Sequence, residues 1–338
     1  MAEVVGESGR VVLEGISAPA FEHPADRAAL HALRRLPGFD VMLRAVIGLI
    51  GERSVRYMHL ANAVRVGPDQ FARVDAIYED CLRTLDVQMR PELFVAQTPI
   101  VNAGAVGVDE PFIVLNSGTL SLFDDDELRY IIGHELGHVL ADHSLYKTML
   151  SLLLRVSFGS LGIPVASIAL FGIVAALREW DRKSELSGDR AGLLAVQDPQ
   201  VAYRVQMKMA GGGKVGEMSI EAFEAQARDY EAGGGVLDGV VKLMNLLQRT
   251  HPFSVLRLSE LKRWVESGDY QRVLDGEYAR RGEGEERKLT QDVIESARSY
   301  RDAYRESTDP LARFVQNISD AGSSALERAR ELVRPGKD

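Results

Sequence analysis

Apolar positions along this chain follow two rhythms, and the rhythm changes near residue 92. Over 69–85, Phe71, Val74, Ile77, Tyr78, Cys81, Leu82 and Leu85 recur at three- and four-residue spacing. That spacing predicts one amphipathic helix. Upstream, Pro37-Gly38 and Gly67-Pro68 interrupt a segment that reads as helices joined by turns. The stretches 92–96, 102–106 and 111–116 are short, rich in β-formers and bounded by Pro, Gly and Asn, so they predict strands of a small sheet. After Asp124-Asp125-Asp126-Glu127 a helix begins, with acid in its first turn where the helix dipole favours it.

Beyond that helix the pattern is again mostly helical. Gly211-Gly212-Gly213 and Gly233-Gly234-Gly235 mark loops. Lys214 after the first triplet is no phosphate loop, because the earlier Gly and a following Ser or Thr are missing. From about residue 268 charges of both signs alternate. Helical stripes persist there, in Leu289, Val293, Ala297, Tyr300 and Tyr304 and then Leu311, Phe314, Val315 and Ile318, and Asp309-Pro310 reads as a helix start. The expected organisation is a helical region over 1–68, a central domain over 69–267 and a charged helical tail over 268–338. The tail is expected to pack on the domain or on a partner.

Composition narrows the function. A chain of 338 residues with 46% hydrophobic and 26% charged residues has the make-up of a globular protein, so wholesale disorder is excluded. Lys plus Arg number 40 against 49 Asp plus Glu, a net charge of -9, which lacks the basic footprint of a nucleic-acid binder. Cys81 is the single cysteine. It cannot form an internal disulfide or a thiolate cage, so any metal must take His and carboxylate ligands. No basic stretch followed by an apolar one opens the chain, so no signal peptide is read and a cytoplasmic location is expected.

His134-Glu135-Leu136-Gly137-His138 carries the chemistry. Residues four apart share a helix face, so His134 and His138 can ligate one metal ion. Glu135 is then placed to act on a metal-activated water. A catalytic zinc takes three protein ligands and keeps one position open. The metzincin pattern would need Gly and His where Ala141 and Ser144 stand, so it fails. Glu185 and Asp189, four apart in Ser184-Glu185-Leu186-Ser187-Gly188-Asp189, offer the other solution. Glu185 would ligate while Asp189 accepts a hydrogen bond from a ligating imidazole. On spacing alone, a solvated charged face is an equal alternative.

The ordered set of segments resembles the HtpX and CaaX prenyl protease family of zinc metallopeptidases, peptidase family M48. The segments are Asn102-Ala103, the run from Pro111 to Gly118, Asp126-Glu127-Leu128, Gly133 to His138 with His143, Glu185 to Asp189, and His251-Pro252 with Arg257. The likeness covers about half the chain. It implies an α+β, zincin-like (gluzincin) fold, mostly helical with a small mixed sheet, and one Zn2+ per chain on His134, His138 and Glu185. It further implies a metalloendopeptidase with Glu135 as general base. His143 takes a structural hydrogen bond. His251 stands near the metal, as a donor to the oxyanion or as an occupant of the open position. Arg257 clamps a site carboxylate. An extended protein or peptide substrate lies along the strand that holds Asn102, Ala103 and Gly104.

Residues 156–177 carry no formal charge over 22 positions, the length of one membrane span. One crossing would part His138 from Glu185, and two crossings need about 40 apolar residues. The run 149–177 therefore reads as two shorter helices with a turn near 162–164, either core or a hairpin touching a membrane surface. The rival function, from another class, is a zinc-containing chaperone-like protein that uses the tail and the hairpin as binding surfaces.

Overall fold

The computed structural model describes residues 9–36, 39, 43, 52–157, 168–232 and 253–282. The helices before the sheet are α1 (Pro24–Arg34), α2 (Glu52–Asn62) and α3 (Ala72–Thr84). The strands are β1 (Ala63–Arg65), β2 (Leu93–Ala96), β3 (Ala103–Val106) and β4 (Phe112–Asn116). There follow α4 (Ser117–Leu122), α5 (Asp125–Leu140), α6 (His143–Ser157), α7 (Ile168–Val196) and α8 (Pro199–Gly211). The last are α9 (Ile220–Ala232), α10 (Ser254–Glu266) and α11 (Asp269–Leu274). The chain is α+β, mostly helical, with one mixed four-stranded sheet in the order β1-β2-β4-β3. β2 and β4 are parallel, and β1 and β3 add antiparallel at the two edges. The three strands expected from the pattern are present, each starting one residue later than read; β1 is additional.

Alternation along the strands gives the sheet two apolar faces. Leu93, Val95, Ala105, Ile113 and Leu115 join the main core, which α5 enters with Leu128, Ile132 and Leu136. Phe94, Phe112 and Val114 form the opposite face. There the His59 ring of α2 meets Phe112 edge-on.

The start of α5 is locally encoded. Asp124 caps it by accepting from the Glu127 N–H, and the Glu127 carboxylate accepts from the Asp124 N–H in return. Three acids in the first turn complement the dipole. Its packing on α7 depends on residues without bulk. A Cβ on Gly133 would come within 2.3 Å of the Ala195 Cβ, and one on Gly137 within 2.4 Å of the Ala191 Cβ. The two backbones therefore approach as closely as small residues permit, and that contact presents His134 and His138 to Glu185.

α7 is one continuous helix. It joins the described end of the apolar run to the acidic segment, so Leu177 and Glu185 lie on the same rod. Met149, Leu150 and Leu153 of α6 meet Ile173, Ala176, Leu177 and Trp180 of α7, and Ala29 and Leu33 of α1 complete this second cluster. The expected turn near 162–164 lies outside the described residues, as do the tail stripes beyond 282. No described helix is long and apolar enough to cross a membrane. The beginning of the expected tail docks on the N-terminal segment, where Ala279 accepts from Ser17 and Arg281 donates to the Ile16 carbonyl, and Arg281 also pairs with Asp86 just after α3.

Gly133→Ala tests the helix contact. In an isolated helix this change is favourable by about 1 kcal/mol. Here the added Cβ has no room, so urea unfolding should show a net loss of about 1–3 kcal/mol. Combining it with Ala195→Gly should recover most of that loss.

Candidate metal centre and active site

α5 buries the whole motif: His134 and Glu135 are each 5% exposed and His138 1%. The two imidazoles turn their Nε2 atoms toward each other, 3.1 Å apart. Glu185 arrives from α7. Its Oε1 lies 3.3 Å from His138 Nε2 and its Oε2 3.5 Å from His134 Nε2. Among the described residues, His134, His138 and Glu185 form the one cluster of three such donors, all within 4.8 Å of one another. A tetrahedral ion with ligand bonds of about 2.0–2.1 Å has ligand–ligand edges of about 3.3–3.4 Å. The Nε2–Nε2 separation of 3.1 Å and the 3.3 Å from His138 Nε2 to Glu185 Oε1 lie near that value, so the donor set suits one divalent cation in chemistry and in approximate spacing.

The far sides of the rings are held as ligands require. His134 Nδ1 lies 3.2 Å from Asp189 Oδ1. With the proton on Nδ1, its Nε2 lone pair is left for the metal. Asp189 is itself fixed on every side. Arg257 of α10 grips it with Nε at 2.7 Å and Nη2 at 2.5 Å. The Tyr130 hydroxyl donates to it at 2.8 Å, and Gln206 of α8 donates to it at 3.2 Å and to the Tyr130 oxygen at 3.1 Å. Gly188 provides the space for this arrangement, since a Cβ there would lie 2.7 Å from the His134 ring.

Two cations flank Glu185, the buried Arg257 and the part-buried Lys147. Lys147 of α6 donates to Oε1 at 2.6 Å and to Asp181 at 2.7 Å, and Arg257 Nη1 lies 3.3 Å from Oε2. These contacts set the protonation pattern. Burial opposes a charge on His134, but Asp189 and Glu185 outweigh it and raise its pKa to about 9. Burial, followed by the charge of Lys147, pushes His138 well down. Burial alone would raise Asp189; the Arg257 charge and hydrogen bonds overcome it and bring the carboxyl to about 2.

His134, His138, Glu185, Asp189 and Arg257 are thus brought together. Asn102, Ala103, His134, Glu135, Glu185 and Arg257 line one small cavity, so Glu135 and the start of β3 face the same space. Gly104, one residue further along and paired with Val114, is not among the residues that line it. His143 meets His138, Nδ1 to Nδ1, at 3.0 Å. His251 lies outside the described residues. Sequence reasoning missed Tyr130, Gln206, Lys147, Asp181 and Asp26. Asp26 of α1 reaches His143 Nε2 at 3.1 Å. None of these has a spacing signal that marks it; only the fold brings them in.

Comparison with known proteins agrees with this geometry. Residues 68–265 match Peptidase family M48. The chain is 30% identical over 275 residues to the plastoglobule-localized metallopeptidase 48, chloroplastic, of Arabidopsis thaliana, covering 78% of this chain and 77% of that one. It is 32% identical over 136 residues to the mitochondrial metalloendopeptidase OMA1 of the same plant, covering 37% of this chain and 27% of that one. A protease HtpX homolog of Kineococcus radiotolerans is 30% identical over 141 residues, 38% of this chain and 43% of its own. No solved structure matches the chain.

The depressed Asp189 value makes an acid-stability prediction. The folded carboxyl titrates at about 2 against an ordinary 3.8. Its contribution is therefore complete above the unfolded value and is lost as pH falls from about 4 to about 2. In urea unfolding of the metal-free protein, wild type should lose about 2 kcal/mol more over that interval than Asp189→Asn. Equal pH dependence of the two proteins would contradict the buried Asp189–Arg257 pairing.

Proposed function

The chain belongs to peptidase family M48, and from that premise we propose a zinc-dependent endopeptidase of zincin-like (gluzincin) fold with His134, His138 and Glu185 as the ligands of one ion per chain. It is a metallopeptidase, and its substrates are proteins or peptides. The observation that supports the zinc reading is the converging set of two Nε2 atoms and one carboxylate, with separations of 3.1, 3.3 and 3.5 Å. When bound, the metal supplies Lewis-acid activation of a water and of the scissile carbonyl.

The chain's own residues do the rest. Glu135 lines the cavity beside His134 and Glu185. We assign it as general base toward the attacking water and as the donor that returns the proton to the leaving amine. Asp189 and Arg257 orient His134, and Lys147 and Arg257 hold the Glu185 carboxylate in place. The edge of β3 facing away from β4 is the proposed seat of an extended substrate, with Asn102, Ala103 and Gly104 as the residues that receive it. A chain paired along an edge strand extends in both directions, which suits cleavage within a sequence. His251, three residues before α10, is the proposed donor to the oxyanion of the tetrahedral intermediate.

Four substitutions test these roles. Glu135→Gln should keep about one zinc per chain and lower peptide cleavage by about 10²–10⁴-fold. His134→Ala and Glu185→Ala should each lose most of the metal by elemental analysis; full occupancy in Glu185→Ala would exclude it as a ligand. His251→Ala should lower kcat by about 10²–10³-fold with little change in KM, as for loss of one oxyanion donor. A raised basal rate in that variant would instead make His251 a cap on the open metal position.

A further inference from the structure

We propose that Asp26, on the N-terminal helix α1 and outside the segment that matches the family, is a positioning residue for the ligand His138, acting through His143. This rests on His138 being a metal ligand through Nε2. The three residues form one line of buried groups. His138 is 1% exposed, His143 is fully buried and Asp26 is 1% exposed. His138 Nδ1 lies 3.0 Å from His143 Nδ1, and His143 Nε2 lies 3.1 Å from Asp26 Oδ2. The second contact is a close charge contact, not an aligned hydrogen bond.

Tautomers fix the direction. A neutral imidazole carries one proton, so His138 can offer an Nε2 lone pair to a metal only with its proton on Nδ1. That Nδ1–H faces His143 Nδ1, which must then be the acceptor. The proton of His143 is left on Nε2, where the Asp26 carboxylate favours it. The opposite tautomer of His143 would set two N–H groups against each other at 3.0 Å and leave the carboxylate facing a lone pair. Asp26 therefore selects the His143 state that keeps His138 in its ligating state. The other ligand imidazole, His134, has its carboxylate Asp189 in direct contact. His138 has the same arrangement with one ring inserted.

Asp26 is held for this role. The Ser187 hydroxyl of α7 donates to Oδ2 at 2.5 Å, and Ser187 Oγ accepts from the His23 N–H at 2.9 Å, just ahead of α1. His143 is wedged edge-on against Trp180, ring centroids 5.4 Å apart. A carboxylate buried between helices is costly unless it is paired. The neighbours of Asp26 in α1 on the buried side are Ala28, Ala29 and Leu33, which offer it nothing polar.

The experiment uses the full chain. Imidazole ¹⁵N NMR of the zinc-loaded wild type should show His143 protonated at Nε2; protonation at Nδ1 would overturn the inference without any variant. Zinc affinity, read by competition with a fluorescent chelator, should fall about tenfold in Asp26→Ala, the low end for loss of a partner behind a ligand. Asp26→Asn keeps an acceptor oxygen beside Ser187, so it is the variant to use if Asp26→Ala fails to fold, and it should fall about threefold. In a His143→Ala background, Asp26→Ala should change zinc affinity by less than about twofold, because the path to His138 is already cut. Wild-type affinity in both folded Asp26 variants, or the same loss with and without His143, would make Asp26 a structural residue only. A wild-type chain that bound no zinc would overturn the ligand assignment itself, a result distinct from any of these.

Discussion

The contact between α5 and α7 is the constraint from which the site follows. Gly133 faces Ala195, Gly137 faces Ala191, and Gly188 lies against the ring of His134. Each of these positions rejects a larger side chain for a steric reason, independent of any chemistry. Because the helices meet so closely, a short Glu side chain on one can reach the imidazoles on the other. The main core on the sheet side and the second cluster on the α6 side clamp the pair from two directions. The three proposed ligands, His134, His138 and Glu185, thus stand on rigid elements, as precise coordination requires.

Around that contact the protein buries more charge than an apolar core accepts. Glu127, Glu179, Glu185, Asp189, Asp26 and Arg257 are all nearly inaccessible. Buried ion pairs contribute little net stability, since desolvation offsets attraction, yet removal of one partner is severe. The network around Glu185 and Asp189 is therefore better understood as orientation than as glue. Each oxygen of Glu185 and Asp189 has a defined cation opposite it, which limits how these two side chains can turn. Metal binding to such a site is coupled to its folding, because the donors converge only in the native packing.

Local rules made part of this legible. The capping box at Asp124 and Glu127, the helical pair His134 and His138, and the strands of the central sheet all obey short-range patterns that a sequence displays directly. Glu185 and Asp189 were visible as a pair with two meanings, and only the fold decides between a solvated face and a buried site. β1 left no usable mark, being three residues long with two of them exposed. Lys147 looks like any lysine on a helix that begins at His143, and Asp26 looks like an ordinary acid in a first turn. Their roles come from tertiary placement, which periodicity does not encode. The continuity of α7 was hidden for a related reason: its apolar and acidic halves differ so much in composition that they read as separate pieces.

The order of these parts along the chain has a consequence for biosynthesis. The buried polar cluster draws Asp26 from α1, His134 and His138 from α5, Glu185 from α7 and Arg257 from α10. These contacts join residues very distant in sequence, the kind that form late and slowly. Chains fold from the N-terminus as they are made. A nascent chain that has emerged only as far as α6 carries both histidines but neither Glu185 nor Asp189, so it has no three-ligand centre. With the proposed ligand set, no three-ligand centre, and no cleavage that depends on one, can form before the segment that carries α7 has been made.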